Sequence, residues 1–227
     1  MQLNYKIYII FLFIILFYLY FYKKKEINKN KKYNFRESFD NNCQKIIPHV
    51  FKIKFLEPNF CKKLINNYDK YFGKNISFNN NNFNKFFDDN DTELKLGMTC
   101  YLKLNKKFDK ILKNKIKKNI FPIAKKYFPY YNPTKITPPY LLKYDATKKN
   151  KNKMDIHIDS EQLAVIVYLN DNFTGGGTYF PTYKKIIKGN IGDAILYPGG
   201  ITHPHSGVKI TSGVRYLLLF SLIDENI

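Results

Sequence analysis

His157 and Asp159 are separated by a single residue, so on an extended strand their side chains project from one face. Two further histidines, His203 and His205, lie far down the chain, again two apart. Either could join the first pair, because both would project to the same side of an extended segment. Two imidazoles and one carboxylate leave coordination positions open, which is the donor set of non-haem Fe(II) oxygenases. Taken alone, a His-x-Asp triplet is more often a surface accident or a structural hydrogen bond. Here, three of the chain's four histidines fall in this one region.

Arginine adds a second signal. The chain has 38 Lys and Arg residues, and only Arg36 and Arg215 are arginines. A sequence that writes Lys almost everywhere keeps Arg where a planar, bidentate donor is needed. The formal charge of +20 reflects this Lys-rich bias. It therefore reads as solvated surface in preference to a nucleic-acid footprint. Cys43, Cys61 and Cys100 form no C-x-x-C pair and imply neither a disulfide framework nor a zinc site.

The elements that must position these residues follow a switch in periodicity. Leu3 to Tyr22 contains an unbroken apolar run from Ile7, long enough with Lys6 snorkelling to span a bilayer. No small-residue cleavage site follows it, which favours a retained single-pass membrane anchor over a signal peptide. Residues 23–47 form a basic juxtamembrane linker, and residues 48–227 form one folded domain. Within that domain, His49 to Leu56 alternates as a strand and Pro58 opens a helix carrying Phe60, Leu64, Ile65 and Tyr68. Lys106 to Tyr127 is predicted as one helix with Phe108, Ile111, Leu112, Ile116 and Ile120 on its buried face. From Tyr140 to Ile223 the texture changes to strand period. The predicted strands are 140–144, 154–159, 163–170, 178–181, 194–197, 203–208 and 216–223. Short strands separated by Gly and Lys/Asn turns point to an antiparallel barrel or jelly roll. Gly175-Gly176-Gly177 reads as a tight turn with close backbone approach.

Residues 140–223 resemble the catalytic domain of the prolyl 4-hydroxylase and lysyl hydroxylase group of 2-oxoglutarate- and Fe(II)-dependent dioxygenases. The matching elements are His157-Ile158-Asp159, Tyr168-Leu169-Asn170-Asp171, Gly176-Gly177-Thr178-Tyr179-Phe180-Pro181, Gly192 to Gly199, and Gly213-Val214-Arg215-Tyr216. Thr202-His203-Pro204-His205-Ser206-Gly207 is similar to the T-H-x-H-x-G segment of lysyl hydroxylases, in which the second histidine is the ligand. Val50 to Leu64 is similar to the strand-turn-helix that opens prolyl hydroxylase domains.

This resemblance implies an α+β fold with a mainly β, double-stranded β-helix (jelly-roll) core and supporting N-terminal helices, after one transmembrane helix. It implies Fe(II) held by His157, Asp159 and His205, and 2-oxoglutarate held through its distal carboxylate by Arg215 with help from Tyr168. Thr178 and Tyr144 either line this pocket or serve only as core packing, and His203 is either a supporting residue or the ligand in place of His205. The implied reaction is oxidative decarboxylation of 2-oxoglutarate by O2, coupled to hydroxylation of a prolyl or lysyl C–H bond in a peptide or protein, with L-ascorbate as reductant. One alternative is a nucleic-acid demethylase of the same oxygenase class, but that group carries a second arginine shortly after the first and none follows Arg215. Another is a non-catalytic β-barrel binding protein. Single-anchor hydroxylases of this kind face the endoplasmic reticulum lumen. The triplets at Asn75, Asn90 and Asn172 suit that side, and the lysines after the apolar run suit the cytoplasmic one.

Overall fold

A computed structural model describes residues 17–24, 42–72, 99–101, 106–149 and 151–226. They fall into two units divided after Asn42. In the first unit, residues 17–24 are helical and expose their aromatic side chains. Residues 3–16 of the expected anchor lie outside the described residues. Among the described residues, no helix is long and apolar enough to cross a membrane.

The second unit is built on two antiparallel sheets. In chain order the strands are β1 (Cys43–Ile47), β2 (Val50–Lys54), β3 (Thr99–Tyr101), β4 (Lys135–Ile136), β5 (Tyr140–Asp145) and β6 (Met154–His157). They continue as β7 (Leu163–Tyr168), β8 (Phe173–Gly175), β9 (Thr178–Phe180), β10 (Lys185–Ile187), β11 (Asp193–Pro198), β12 (His205–Gly207) and β13 (Ile210–Ile223). The larger sheet runs β1-β2-β11-β7-β13-β5-β3, with β4 and β8 also paired to β13, and the smaller runs β10-β9-β12-β6. Helices α1 (Pro58–Phe72), α2 (Lys106–Asn119) and α3 (Phe121–Tyr127) support the larger sheet.

The two-residue period of a strand decides which side chains enter the barrel. On β13, Leu217 and Leu219 pack inward with Leu142 and Tyr144 of β5, Ala164, Ile166 and Tyr168 of β7, and Ile195 and Tyr197 of β11. The intervening residues face the helices. Tyr216 meets Tyr68 of α1 at 5.8 Å between ring centroids, Phe220 meets Phe55 at 6.4 Å, and Phe51 of β2 stacks on Tyr127 of α3 at 4.2 Å. This double cover explains why β7, read as LAVIVY, is buried at every position. Its neighbour β13 pairs with it along its whole length and β11 from Leu163 to Val167.

Several elements differ from the sequence expectation. Cys43–Ile47, placed in the linker, is a strand that hairpins onto β2 through Pro48 and His49, the latter at φ 58. The single helix expected over 106–127 is broken at Ile120. Pro122, in the first turn of α3, has no N–H for the helical ladder and its ring crowds the preceding turn. Leu112, Ile116 and Ile120 are buried as expected, whereas Ile111 is 38% exposed and lies off the stripe. The expected strand 203–208 begins only at His205, because Gly200–Thr202 forms a 3-10 turn. Strands β3, β4, β8 and β10 were not anticipated.

Candidate metal centre

β6 and β12 are neighbours in the smaller sheet, and His157 and His205 are direct partners in their register. A sheet pairing thus brings together two residues far apart in sequence. Asp159 lies just beyond the end of β6. Ligand atoms of His157, Asp159 and His205 all lie within 4.8 Å of one another. The His157 Nε2–Asp159 Oδ1 and His205 Nε2–Asp159 Oδ2 distances are 3.9 and 3.8 Å.

Backbone carbonyls set both imidazoles in the tautomer a metal requires. His157 Nδ1 is 2.8 Å from the Asp155 carbonyl, and His205 Nδ1 is 3.2 Å from the His203 carbonyl. A carbonyl only accepts, so each Nδ1 donates to it and each Nε2 is left facing the cluster. Burial holds the His205 imidazole below its ordinary range, with the Asp159 charge pulling the other way. The neutral ring is the form that ligates metal. The His205 side chain is 4% exposed, against 29% for His157 and 21% for Asp159, so the cluster opens to solvent on the β6 side.

His203 is arranged differently. Its Nδ1 meets Thr202 Oγ1 at 3.0 Å and its Nε2 donates to the Pro48 carbonyl at 3.1 Å. Both ring nitrogens are engaged away from the cluster, and it is His205 that stands beside His157 and Asp159. His203 instead ties the β1–β2 hairpin to the loop that delivers His205.

The second group of expected residues also converges inside the barrel. Arg215 is fully buried. Its Nη1 donates to the Gly177 carbonyl at 3.0 Å, while Nε and Nη2 have no hydrogen-bond acceptor. The guanidinium carbon lies 5.2 Å from the Tyr168 ring centroid and 5.3 Å from that of Tyr144. The Tyr168 hydroxyl donates to the Ile187 carbonyl at 3.0 Å and lies 3.1 Å from Thr178 Oγ1. Burial pushes the Tyr168 phenol up, with the Arg215 charge opposing it, so it stays a protonated donor. Gly177 can offer its carbonyl because the turn passes through three positive φ values, 85, 65 and 116 for Gly175 to Gly177, which only glycine adopts without strain.

These features test whether the residues fit an iron ion and a dicarboxylic acid. Two imidazole nitrogens and a carboxylate match a divalent ion with open positions. A buried cation whose fork lacks two acceptors calls for a carboxylate, because an uncompensated interior charge is costly. The residues fit both groups.

Sequence reasoning missed Tyr197. Its hydroxyl donates to Asp159 Oδ2 at 2.8 Å and lies 3.1 Å from His205 Nε2. The only available signal was its inward parity on the strand that precedes Pro198-Gly199.

No family model matches the chain. Curated relatives do. Mouse "Procollagen-lysine,2-oxoglutarate 5-dioxygenase 1" is 29% identical over 110 residues, covering 46% of this chain and 15% of that enzyme. A "Putative prolyl 4-hydroxylase" of Acanthamoeba polyphaga mimivirus is 38% identical over 63 residues, covering 24% of this chain and 26% of that protein. The chain therefore spans only about a quarter or less of the length of these relatives. Among solved structures, a Trichoplax adhaerens prolyl hydroxylase in complex with a hypoxia inducible factor oxygen degradation domain peptide fragment aligns with a TM-score of 0.58 at 16% identity, covering 88% of this chain and 93% of that one. The viral collagen prolyl hydroxylase of Paramecium Bursaria Chlorella virus-1 gives 0.54 at 16% identity over 77% of this chain and 89% of that one. Its 2OG complex gives 0.51 at 17% identity, over 77% and 94%. At these identities the structural likeness carries the fold, a mainly β, jelly-roll-like oxygenase core. In sequence and in fold together, the relatives of this chain are the procollagen lysine hydroxylases and prolyl 4-hydroxylases of the 2-oxoglutarate/Fe(II) oxygenase group.

Proposed function

We propose that this chain is a 2-oxoglutarate- and Fe(II)-dependent dioxygenase that hydroxylates a C–H bond of prolyl or lysyl residues in a peptide or protein. The observation that carries the reading is the buried, two-thirds unsatisfied guanidinium of Arg215, sharing a barrel with the His157-Asp159-His205 cluster. A metal cluster alone suits many proteins. A metal cluster with a fixed carboxylate receptor inside the same barrel suits a keto-diacid cosubstrate.

In this reading His157, Asp159 and His205 hold Fe(II), which supplies, when bound, the activation of O2 coupled to decarboxylation of 2-oxoglutarate. Arg215 receives the distal carboxylate through its free fork, and the Tyr168 hydroxyl adds a hydrogen bond once its proton turns from the Ile187 carbonyl to that carboxylate. Thr178 and Ile187 fix the Tyr168 hydroxyl. Ile166, Ile195 and Leu217 line the interior and exclude water, which strengthens the charge pairing. The more exposed His157 and Asp159 side admits the substrate. The peptide substrate rests on the procollagen lysine and prolyl hydroxylases among the relatives and on the peptide complex of the Trichoplax neighbour. Ascorbate as reductant, and a membrane anchor over residues 3–22, belong to the same proposal.

The test is succinate formation from 2-oxoglutarate with Fe(II), ascorbate and a panel of prolyl and lysyl peptides, read with the +16 Da shift of the peptide. Succinate with a shift on one residue type assigns the substrate. No turnover with any peptide sinks the reading. Carbonate extraction and glycosylation mapping of the expressed full chain test the anchor and its orientation.

A further inference from the structure

We infer that Tyr197 is a positioning residue that makes Asp159 a single-oxygen ligand; this rests on the metal site proposed above. A free carboxylate beside a divalent ion can bind through one oxygen or chelate through both, and chelation fills one of the positions that cosubstrate and O2 need. In this chain the choice is built into the barrel wall. The Tyr197 hydroxyl donates to Asp159 Oδ2 at 2.8 Å, which engages that oxygen and leaves Oδ1 the better placed to bind metal. The same hydroxyl lies 3.1 Å from His205 Nε2, but its single proton goes to Asp159, so the hydrogen bond it donates holds the carboxylate alone.

The phenol is itself held rigidly. Tyr197 is 1% exposed, and its ring makes edge contacts with Phe180 at 5.4 Å and His205 at 4.9 Å. Its strand, β11, is paired on both sides, with Tyr197 opposite Ala164 of β7 and Leu196 opposite Phe51 of β2. A ring locked by packing on a central strand delivers its hydroxyl with little freedom to wander. Asp159, by contrast, sits past the end of edge strand β6, where the backbone alone fixes it less firmly. The Gly199 turn closes around it from the other side: a Cβ there would meet Asp159 Cβ at 3.3 Å.

Tyr197→Phe removes the hydroxyl and keeps the ring, so the packing survives. The experiment is titration of the full chain with Co(II), followed by calorimetry and by the ligand-field absorption of the bound ion, with thermal melting as the fold control. We expect Tyr197→Phe to melt like the wild type yet bind Co(II) about 10–100-fold more weakly, the usual cost of losing a partner of a metal ligand. Its ligand-field spectrum should shift as Asp159 begins to chelate. Wild-type affinity and spectrum in the variant overturn the inference and leave the metal site standing. Failure of the wild type to bind Co(II) overturns both. A second measurement needs no variant: Zn(II) added to the wild type should produce no tyrosinate difference absorbance. A tyrosinate signal would make Tyr197 a ligand and overturn its positioning role.

Discussion

Arg215 carries a full charge in the barrel interior with acceptors for only part of its fork. Such a residue weakens the ligand-free protein, since a buried charge without compensation costs several kcal/mol. A cosubstrate carboxylate reverses the sign. With a redox-inert divalent ion bound, 2-oxoglutarate at 100 times its Kd should raise stability by about 2.7 kcal/mol. Arg215→Met should melt higher than the wild type without ligand and lose the shift on adding 2-oxoglutarate. A shift that persists in the variant would show that the receptor lies elsewhere. His157→Ala should abolish turnover. His203→Ala should bind metal and keep measurable turnover while losing about 1–3 kcal/mol of stability, because the Pro48 carbonyl loses its donor. A metal-binding loss in His203→Ala as deep as in His157→Ala would reverse the assignment of the two roles.

At the scale of elements, the turn before β11 is the most constrained point of the scaffold. Gly192 sits at φ 85, and its carbonyl accepts from both Phe55 and Leu56 at 3.1 and 2.9 Å. An added Cβ would lie 1.8 Å from the Leu56 carbonyl oxygen. Gly192→Ala should therefore cost more than the roughly 1–2 kcal/mol of a left-handed alanine alone, measured by chemical denaturation; a neutral substitution would mean that this contact relaxes freely. The same elements show what could be read from sequence. Strands with clean alternation or a solid apolar run, such as β5, β7 and β11, were legible, and so was His-x-Asp at a strand end. β10, as Lys185-Ile186-Ile187, was hidden because its lysine sits among many others and its pairing to β9 is tertiary information. β1 was hidden for a similar reason, since CQKII follows a Lys/Asn-rich run and becomes a strand only by pairing with β2. Tyr197 packs like any core aromatic along its strand, and only the sheet-to-sheet approach of β11 and β6 gives its hydroxyl a partner.

For the whole molecule, burial has a consequence in alkali. It pushes the Cys61 thiol and the Tyr131 phenol up to about 12, and it raises the Tyr216 phenol, which also donates to Asp69 at 3.0 Å. The unfolded chain releases these protons near pH 8.5 for Cys and 10 for Tyr. Above those values the folded state binds more protons than the unfolded state, so stability falls as pH rises. The melting temperature should decline from about pH 9 upward, and iodoacetamide at pH 8 should leave Cys61 unmodified until the protein is denatured. Alkylation of Cys61 in the folded protein would show that α1 opens readily.

β13 is synthesised after all its partners, yet it pairs with β4, β5, β7 and β8 and contributes Arg215. Until Ile210–Ile223 emerges, β7 presents an unpaired edge of six consecutive core residues, and β5 lacks the neighbour that joins it to the sheet. A nascent chain halted before that point holds both halves of its sheet without the strand that joins them. Its exposed edges are open to pairing with other chains. Closure of the larger sheet thus waits for β13, and the interval before it is when a chaperone has the most to protect.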